Sequence, residues 1–150
     1  MSWLVRAAAA ADVDALVEGN LALAAESEGL ALDAARVRAG VEAGLAGAAG
    51  AAYRVAVADG RVVGQLMRTV EWSDWRNQTV WWVQSVYVWP AWRGRGVYRA
   101  LAAALEAEAR AAGAAGLRLY VDTRNTGAAA VYERLGMDGG HYRVYERLWG

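Results

Sequence analysis

The chain has 150 residues, 57% hydrophobic and 21% charged, enough for one folded domain with a real core. Its formal net charge is zero, so bulk charge argues for neither nucleic acid nor a membrane surface as a partner. With no cysteine and one histidine, His141, the sequence excludes disulfides, thiolate or histidine-rich metal centres and a cysteine nucleophile, and no metal is expected.

Residues 3–6 read as a first strand. From Asp12 to about Ser27 apolar residues recur at helical spacing (Val13, Leu16, Val17, Leu21, Ala24), and Gly29 ends that helix. Asp33 caps a second helix through Val37, Val41 and Leu45, and the Gly- and Ala-rich tail, 43–52, reads as a loop. Residues 53–58 alternate, Asp59-Gly60 turns, and 61–67 resumes, a hairpin pattern. Trp72 to Asn77 reads as a polar loop, and Thr79 to Trp89 as a long strand ended by Pro90. A helix then runs to about Ala112, closed by Gly113 and Gly116. Residues 117–121 read as a strand, Asn125 to Leu135 as a helix stopped by Gly136, and Tyr142 to Leu148 as a final strand. The order β-α-α-β-β-β-α-β-α-β is that of an α/β fold built on a sheet of about six strands. Neither repeat nor linker interrupts it, so a single domain over residues 1–150 is expected.

Phe, Ile, Lys and Cys are absent, while alanine occurs 35 times and tryptophan 8 times. Two origins fit this alphabet: an engineered or restricted set of residues, and a gene of high GC content. No apolar run reaches the roughly 18 residues of a membrane span. The start, MSWLVRAAAA, lacks the basic and apolar regions of a signal peptide. The expectation is a cytoplasmic protein with no membrane and no nucleic-acid partner.

The most informative stretch is Val86-Tyr87-Val88-Trp89-Pro90-Ala91-Trp92-Arg93-Gly94-Arg95-Gly96-Val97-Tyr98-Arg99. It reads as strand, basic glycine turn, helix. The first turn of a helix has N–H groups without intrahelical partners, and the helix dipole adds partial positive charge there. Glycines let backbone approach an anion closely, and Arg93, Arg95 and Arg99 add formal charge. A pyrophosphate cradle follows. The turn is no P-loop, because GxxxxGK[ST] is missing, and it lacks the GxGxxG of a dinucleotide fold. An ordinary turn and an RNA-binding RGG fragment are the alternatives for so short a motif, which occurs once, between an apolar strand and an amphipathic helix.

A second segment, Asn125 to Met137, puts Ala128 and Tyr132 on one helix face, with Asn125 one turn earlier. Taken alone, the segment reads first as Asn125 a plain cap and Tyr132 an anchor to the core. Together the two segments resemble the GNAT superfamily of N-acetyltransferases, whose signature is (Q/R)xxGx(G/A) at a helix start followed by NxxAxxxYxxxG(F). Arg93-Gly94-Arg95-Gly96-Val97 matches the first part, and Asn125, Ala128, Tyr132 and Gly136 match the second. Element order extends the resemblance over nearly the whole chain. Two positions depart from the pattern: Tyr98 stands where the family has a small residue, and Met137 where it has an aromatic. The strings WWVQSVYV and SDWRN are similar to those of a subgroup with a bulky aromatic at the Tyr98 position.

The resemblance implies a GNAT-like mixed sheet with a splayed central strand pair and acetyl-CoA as co-substrate. Its pantetheine arm would add to the open strand edge at Val86, Tyr87 and Val88. Its pyrophosphate would sit on Arg93, Gly94, Arg95, Gly96, Val97, Tyr98 and Arg99, with Asn125, Ala128 and Tyr132 completing the cofactor site. The implied reaction is direct transfer of an acetyl group to a primary amine, on a small molecule or a protein, in a ternary complex. Tyr132 is the implied general acid for the thiolate leaving group. Glu71 and Asp74 are the candidate bases, with a water relay as the alternative. The tryptophans around Trp72–Trp92 read as core and cleft wall. A non-catalytic, engineered CoA-binding scaffold on the same fold is the rival reading. Monomer and homodimer are both compatible with the sequence.

Overall fold

The computed structural model describes residues 2–150 and divides them into two compact units, one ending at Leu119 and one running from Tyr120 to Gly150. In the first unit the chain order is β1 (Leu4–Ala7), α1 (Val13–Glu28), α2 (Ala34–Leu45), β2 (Ala52–Ala58), β3 (Arg61–Ser73), β4 (Gln78–Val88), α3 (Val97–Ala111) and β5 (Gly116–Arg118). The strands form one sheet in the order β1-β2-β3-β4-β5. All pairs are antiparallel except β4 with β5, which are parallel.

Local chemistry accounts for most boundaries. Gly29 ends α1 at φ 66°, a left-handed conformation that glycine adopts without steric cost, and Leu30 N–H closes back onto Ala24 O. The Asp33 side chain caps α2 by accepting from Ala35 N and Arg36 N. Asp59 and Gly60, both at positive φ, make the tight turn between β2 and β3.

Successive strand residues point to opposite faces, and each face has its own core. On one side Leu16 and Val17 of α1 and Val41 of α2 close over Tyr53 and Val55. On the other, Val97, Leu101, Leu105 and Ala109 of α3 close over Ala56, Val63, Leu66, Trp81 and Val83. Gly64 sets how near α3 comes: a Cβ there would lie 2.6 Å from Val97 Cγ1 and 3.2 Å from Leu101 Cδ1.

The second unit holds α4 (Thr126–Arg134), capped by Asn125, whose Oδ1 accepts from Ala128 N at 3.1 Å, and stopped by Gly136 at φ 87°.

The sheet has five strands where about six were expected. Tyr142 to Leu148 forms no strand. Alternation suits it to one, but a strand exists only where a neighbour takes its N–H and C=O groups, and α4 is the only regular element in its unit. Its side chains are exposed, Tyr145 at 85% and Trp149 at 87%. β5 stops at Arg118 rather than residue 121 for the same reason: its pairing with β4 ends there. The expected loop at 43–52 is in fact the last turn of α2, a short 3₁₀ turn and the first residue of β2. Trp72 belongs to β3, so the loop between β3 and β4 shrinks to residues 74–77.

Candidate active site

β4 runs on past the end of its pairing with β5. The parallel ladder covers only Val80–Trp82 against Gly116–Arg118. From Val83 to Val88, β4 has β3 on one side and, among the described residues, no strand on the other. Trp89 N donates to Val63 O at 2.9 Å, and backbone polar groups alternate sides along a strand. Val88 therefore turns its N–H and C=O toward the open side.

β4 is also bulged there. Gln65 pairs with Tyr87 while Met67 pairs with Gln84, so Leu66 stands against two residues, Ser85 and Val86. Ser85 takes φ 52°, a left-handed backbone that a serine adopts at a cost. Sequence reading offered no sign of this, because nothing in Gln-Ser-Val marks a bulge.

Past Val88 a 3₁₀ turn at Pro90–Trp92 leads into the glycine turn. Gly94 has φ 72° and Gly96 φ 84°, and a Cβ on either would meet nothing within 4 Å. Gly96 is the residue before α3, and no side chain caps that helix. No acidic residue sits in its first turn either. Arg95 and Arg99 are exposed, with the Arg95 guanidinium 4.9 Å from the Trp92 ring centroid. A left-handed glycine pair, open space around it, an uncapped helix start and exposed guanidiniums form a fitting seat for a pyrophosphate.

Arg93 does something different. Its Nε donates to Val88 O at 2.9 Å and its terminal nitrogen to Glu26 Oε1 at 2.7 Å. Glu26 also accepts from the Tyr87 hydroxyl. Those donors, Tyr87 foremost and then Arg93, hold the Glu26 carboxyl below its ordinary range. Burial, and then the bond to Glu26, raises the Tyr87 phenol. Tyr87 is buried, so its side chain braces α1 against β4, and Val97, also buried, has only backbone at the helix start. Val86 and Val88 pack their side chains toward α3. Glu26 carried no motif in the sequence. Its part in the site arises only when the end of α1 meets the end of β4.

The two candidate bases stand in different surroundings. Glu71 Oε1 accepts from the Trp82 indole at 2.8 Å and Oε2 from Arg118 at 2.6 Å. Asp74 lies at the exposed β3–β4 turn, where its Oδ1 accepts from Trp75 N at 3.0 Å. Of the tryptophans, Trp81 is buried in the α3-side core whereas Trp75 is 91% exposed. In the second unit, burial raises the phenol of the half-buried Tyr132 above its ordinary value, which keeps it protonated. Among the described residues, no three His, Asp or Glu side chains gather as metal ligands. No helix among the described residues is long and apolar enough to cross a membrane.

The order of elements, the short parallel pairing of β4 with β5 and the glycine turn define an acyltransferase architecture. Residues 24–137 match the model of the acetyltransferase (GNAT) family, so the chain belongs to that family, whose members use acetyl-CoA. The fold is similar to that of the possible acetyltransferase from Clostridium difficile 630, with 36% identity, 99% of each chain covered and a TM-score of 0.90. It also resembles the ribosomal-protein-alanine N-acetyltransferase from Brucella melitensis biovar Abortus 2308 (19% identity, 99% of this chain and 100% of that one, TM-score 0.80). A third similar structure is AAC(6')-Iy in complex with the bisubstrate analogue CoA-S-monomethyl-acetylneamine (20% identity, 100% of both chains, TM-score 0.78). Comparison with the curated proteins returned no match.

Proposed function

We propose that the chain is an acetyl-CoA-dependent N-acetyltransferase that moves the acetyl group directly to a primary amine. The observation that carries this reading is the open edge of β4 running straight into the Gly94–Gly96 turn and the uncapped start of α3. That edge suits an amide-bearing arm, and the turn suits the pyrophosphate at its end. Arg95 and Arg99 supply charge to the phosphates, and Arg93 stiffens the path between edge and turn. The backbone N–H of Val88 faces the open side and serves as donor to the carbonyl oxygen as charge builds on it.

Tyr132 is proposed as general acid, giving its proton to the departing thiolate. A phenol held above ~10 stays protonated at neutral pH and is a workable donor to a thiolate whose conjugate acid lies near ~8.5. The family match spans both units, which supports assigning Asn125, Ala128 and Tyr132 to the same function. Water is proposed to take the amine's proton, with Glu71, bonded to Arg118 and Trp82, and Asp74, exposed on its turn, as the side-chain alternatives. Acetyl-CoA incubated with a panel of amines and assayed for free thiol tests the reading. Thiol release that depends on a particular amine supports it. Tight CoA binding with no turnover on any amine would replace it with the non-catalytic scaffold.

A further inference from the structure

Three locally unfavourable features meet at one point in the first unit. Gln65 is completely buried in β3, between Gly64 and Leu66, and its Oε1 has no hydrogen-bond partner. Gly19 lies in the middle of α1, where alanine is the better helix former. Ser85 holds a left-handed backbone. The three are joined. Gln65 Nε2 donates to Ser85 O at 3.1 Å, and only the NH₂ end of the amide can do so, which fixes the amide's orientation. Its other end fills the space where a Gly19 side chain would be: a Cβ there would lie 2.1 Å from Gln65 Oε1 and 3.0 Å from the Trp89 ring. A sequence keeps such conflicts together where the geometry they enforce is useful.

We propose that Gln65, seated against Gly19, is a positioning residue that locks the β4 bulge at Ser85 and so aims the Val88 N–H into the open edge. The proposal rests on the acetyltransferase reading above. The lock acts one strand away from the reacting atoms, upstream of the glycine turn, so it bears on the chemical step more than on holding the pyrophosphate.

Gln65→Met keeps the volume, removes the orphan acceptor and deletes the bond to Ser85. The expected result is a kcat lower by ~10-fold or more, with KM for acetyl-CoA within about twofold and Tm unchanged or higher. Ser85→Gly in the Gln65→Met background should restore kcat, because glycine adopts the left-handed conformation unaided. A Gln65→Met kcat equal to wild type overturns the proposal, and so does a loss that Ser85→Gly leaves unrepaired. If Gln65→Met does not fold, Gly19→Ala reaches the same lock from the helix side, with the same loss of kcat expected and a lower Tm from the added Cβ. A wild-type protein that acetylates no amine sinks the acetyltransferase reading alone. Amide hydrogen exchange across Ser85–Val88 then reads the lock directly: faster in Gln65→Met and slowed again by Ser85→Gly if it holds, unchanged if it does not.

Discussion

Arg93 Nε donates to Val88 O at 2.9 Å, so the first arginine of the glycine turn is bonded to the last residue of β4. Its other end reaches Glu26 on α1, and Glu26 takes the Tyr87 hydroxyl as well. The turn is thereby tied to the strand that precedes it and to a helix 67 residues earlier in the chain. A charge that sequence reading assigned to a phosphate is used to hold backbone in place.

Glu26→Ala releases that tie. Both partners are about half exposed, so the ion pair itself is worth at most about 1 kcal/mol. Affinity for CoA should fall roughly fivefold, the equivalent of that energy. Isothermal titration with CoA checks this, and an unchanged dissociation constant would show that the turn needs no brace.

Tyr132→Phe should lower kcat by about 10²-fold while leaving KM for acetyl-CoA nearly unchanged. The wild-type rate should fall at high pH as the phenol loses its proton, and burial puts that fall above the ordinary tyrosine value. In Tyr132→Phe the alkaline fall should be absent. A pH–rate profile of both proteins decides it.

Gly96→Ala places a Cβ on a residue at φ 84°. Open space surrounds it, so the cost is backbone strain alone, about 1–2 kcal/mol. Gly64→Ala instead meets Val97 and Leu101, and overpacking there costs about 1–3 kcal/mol. Calorimetry should show a lower Tm for both. Gly96→Ala also puts its Cβ in the space proposed for the pyrophosphate, so titration should show a larger loss of CoA affinity, for a given loss of Tm, than Gly64→Ala, which acts only through the core.

Asp12 sets an acid limit on stability. It accepts two bonds from Arg6, at 2.7 and 2.9 Å, and one from Ala9 N at 2.7 Å. Arg6 is the larger cause that lowers its pKa, against the opposing effect of burial. The folded value lies below the unfolded one, so the stabilisation is fully present above about pH 4 and is lost as pH falls through the folded value. Asp12→Ala should cost roughly 1–2 kcal/mol at pH 7 and flatten the dependence of Tm on pH below 4. A pH series of thermal melts on the two proteins provides the comparison.

Much of the scaffold was legible because its causes are local. Gly29, Asp33, Asp59-Gly60, Asn125 and Gly136 act through their own backbone or the next few residues, and each stands at the boundary that its chemistry dictates. The two GNAT segments are legible for the same reason. A glycine turn before a helix and an Asn-capped helix are short-range structures, and together they named the family.

What the tertiary structure alone decided is how those parts are held and what each charge does. Tyr142 to Leu148 has the alternation of a strand and forms none, since pairing depends on a neighbour that local pattern does not supply. Glu71 looked free for proton transfer, yet Arg118 and Trp82 lie next to it across the sheet. Arg93 looked free for a phosphate, yet Glu26 and Val88 engage it. Gln65 and Gly19 carry no motif and Ser85 lies in the WWVQSVYV string without marking a bulge, and their relation exists only where α1, β3 and β4 touch. The sequence by itself determined the family, the glycine turn and the helix that bears Tyr132, because these depend on neighbours a few residues away. Which arginine is bonded to a carboxylate and a backbone carbonyl, which carboxylate is ion-paired and where β4 bulges depend on residues up to 67 positions apart, and only folding brings those together.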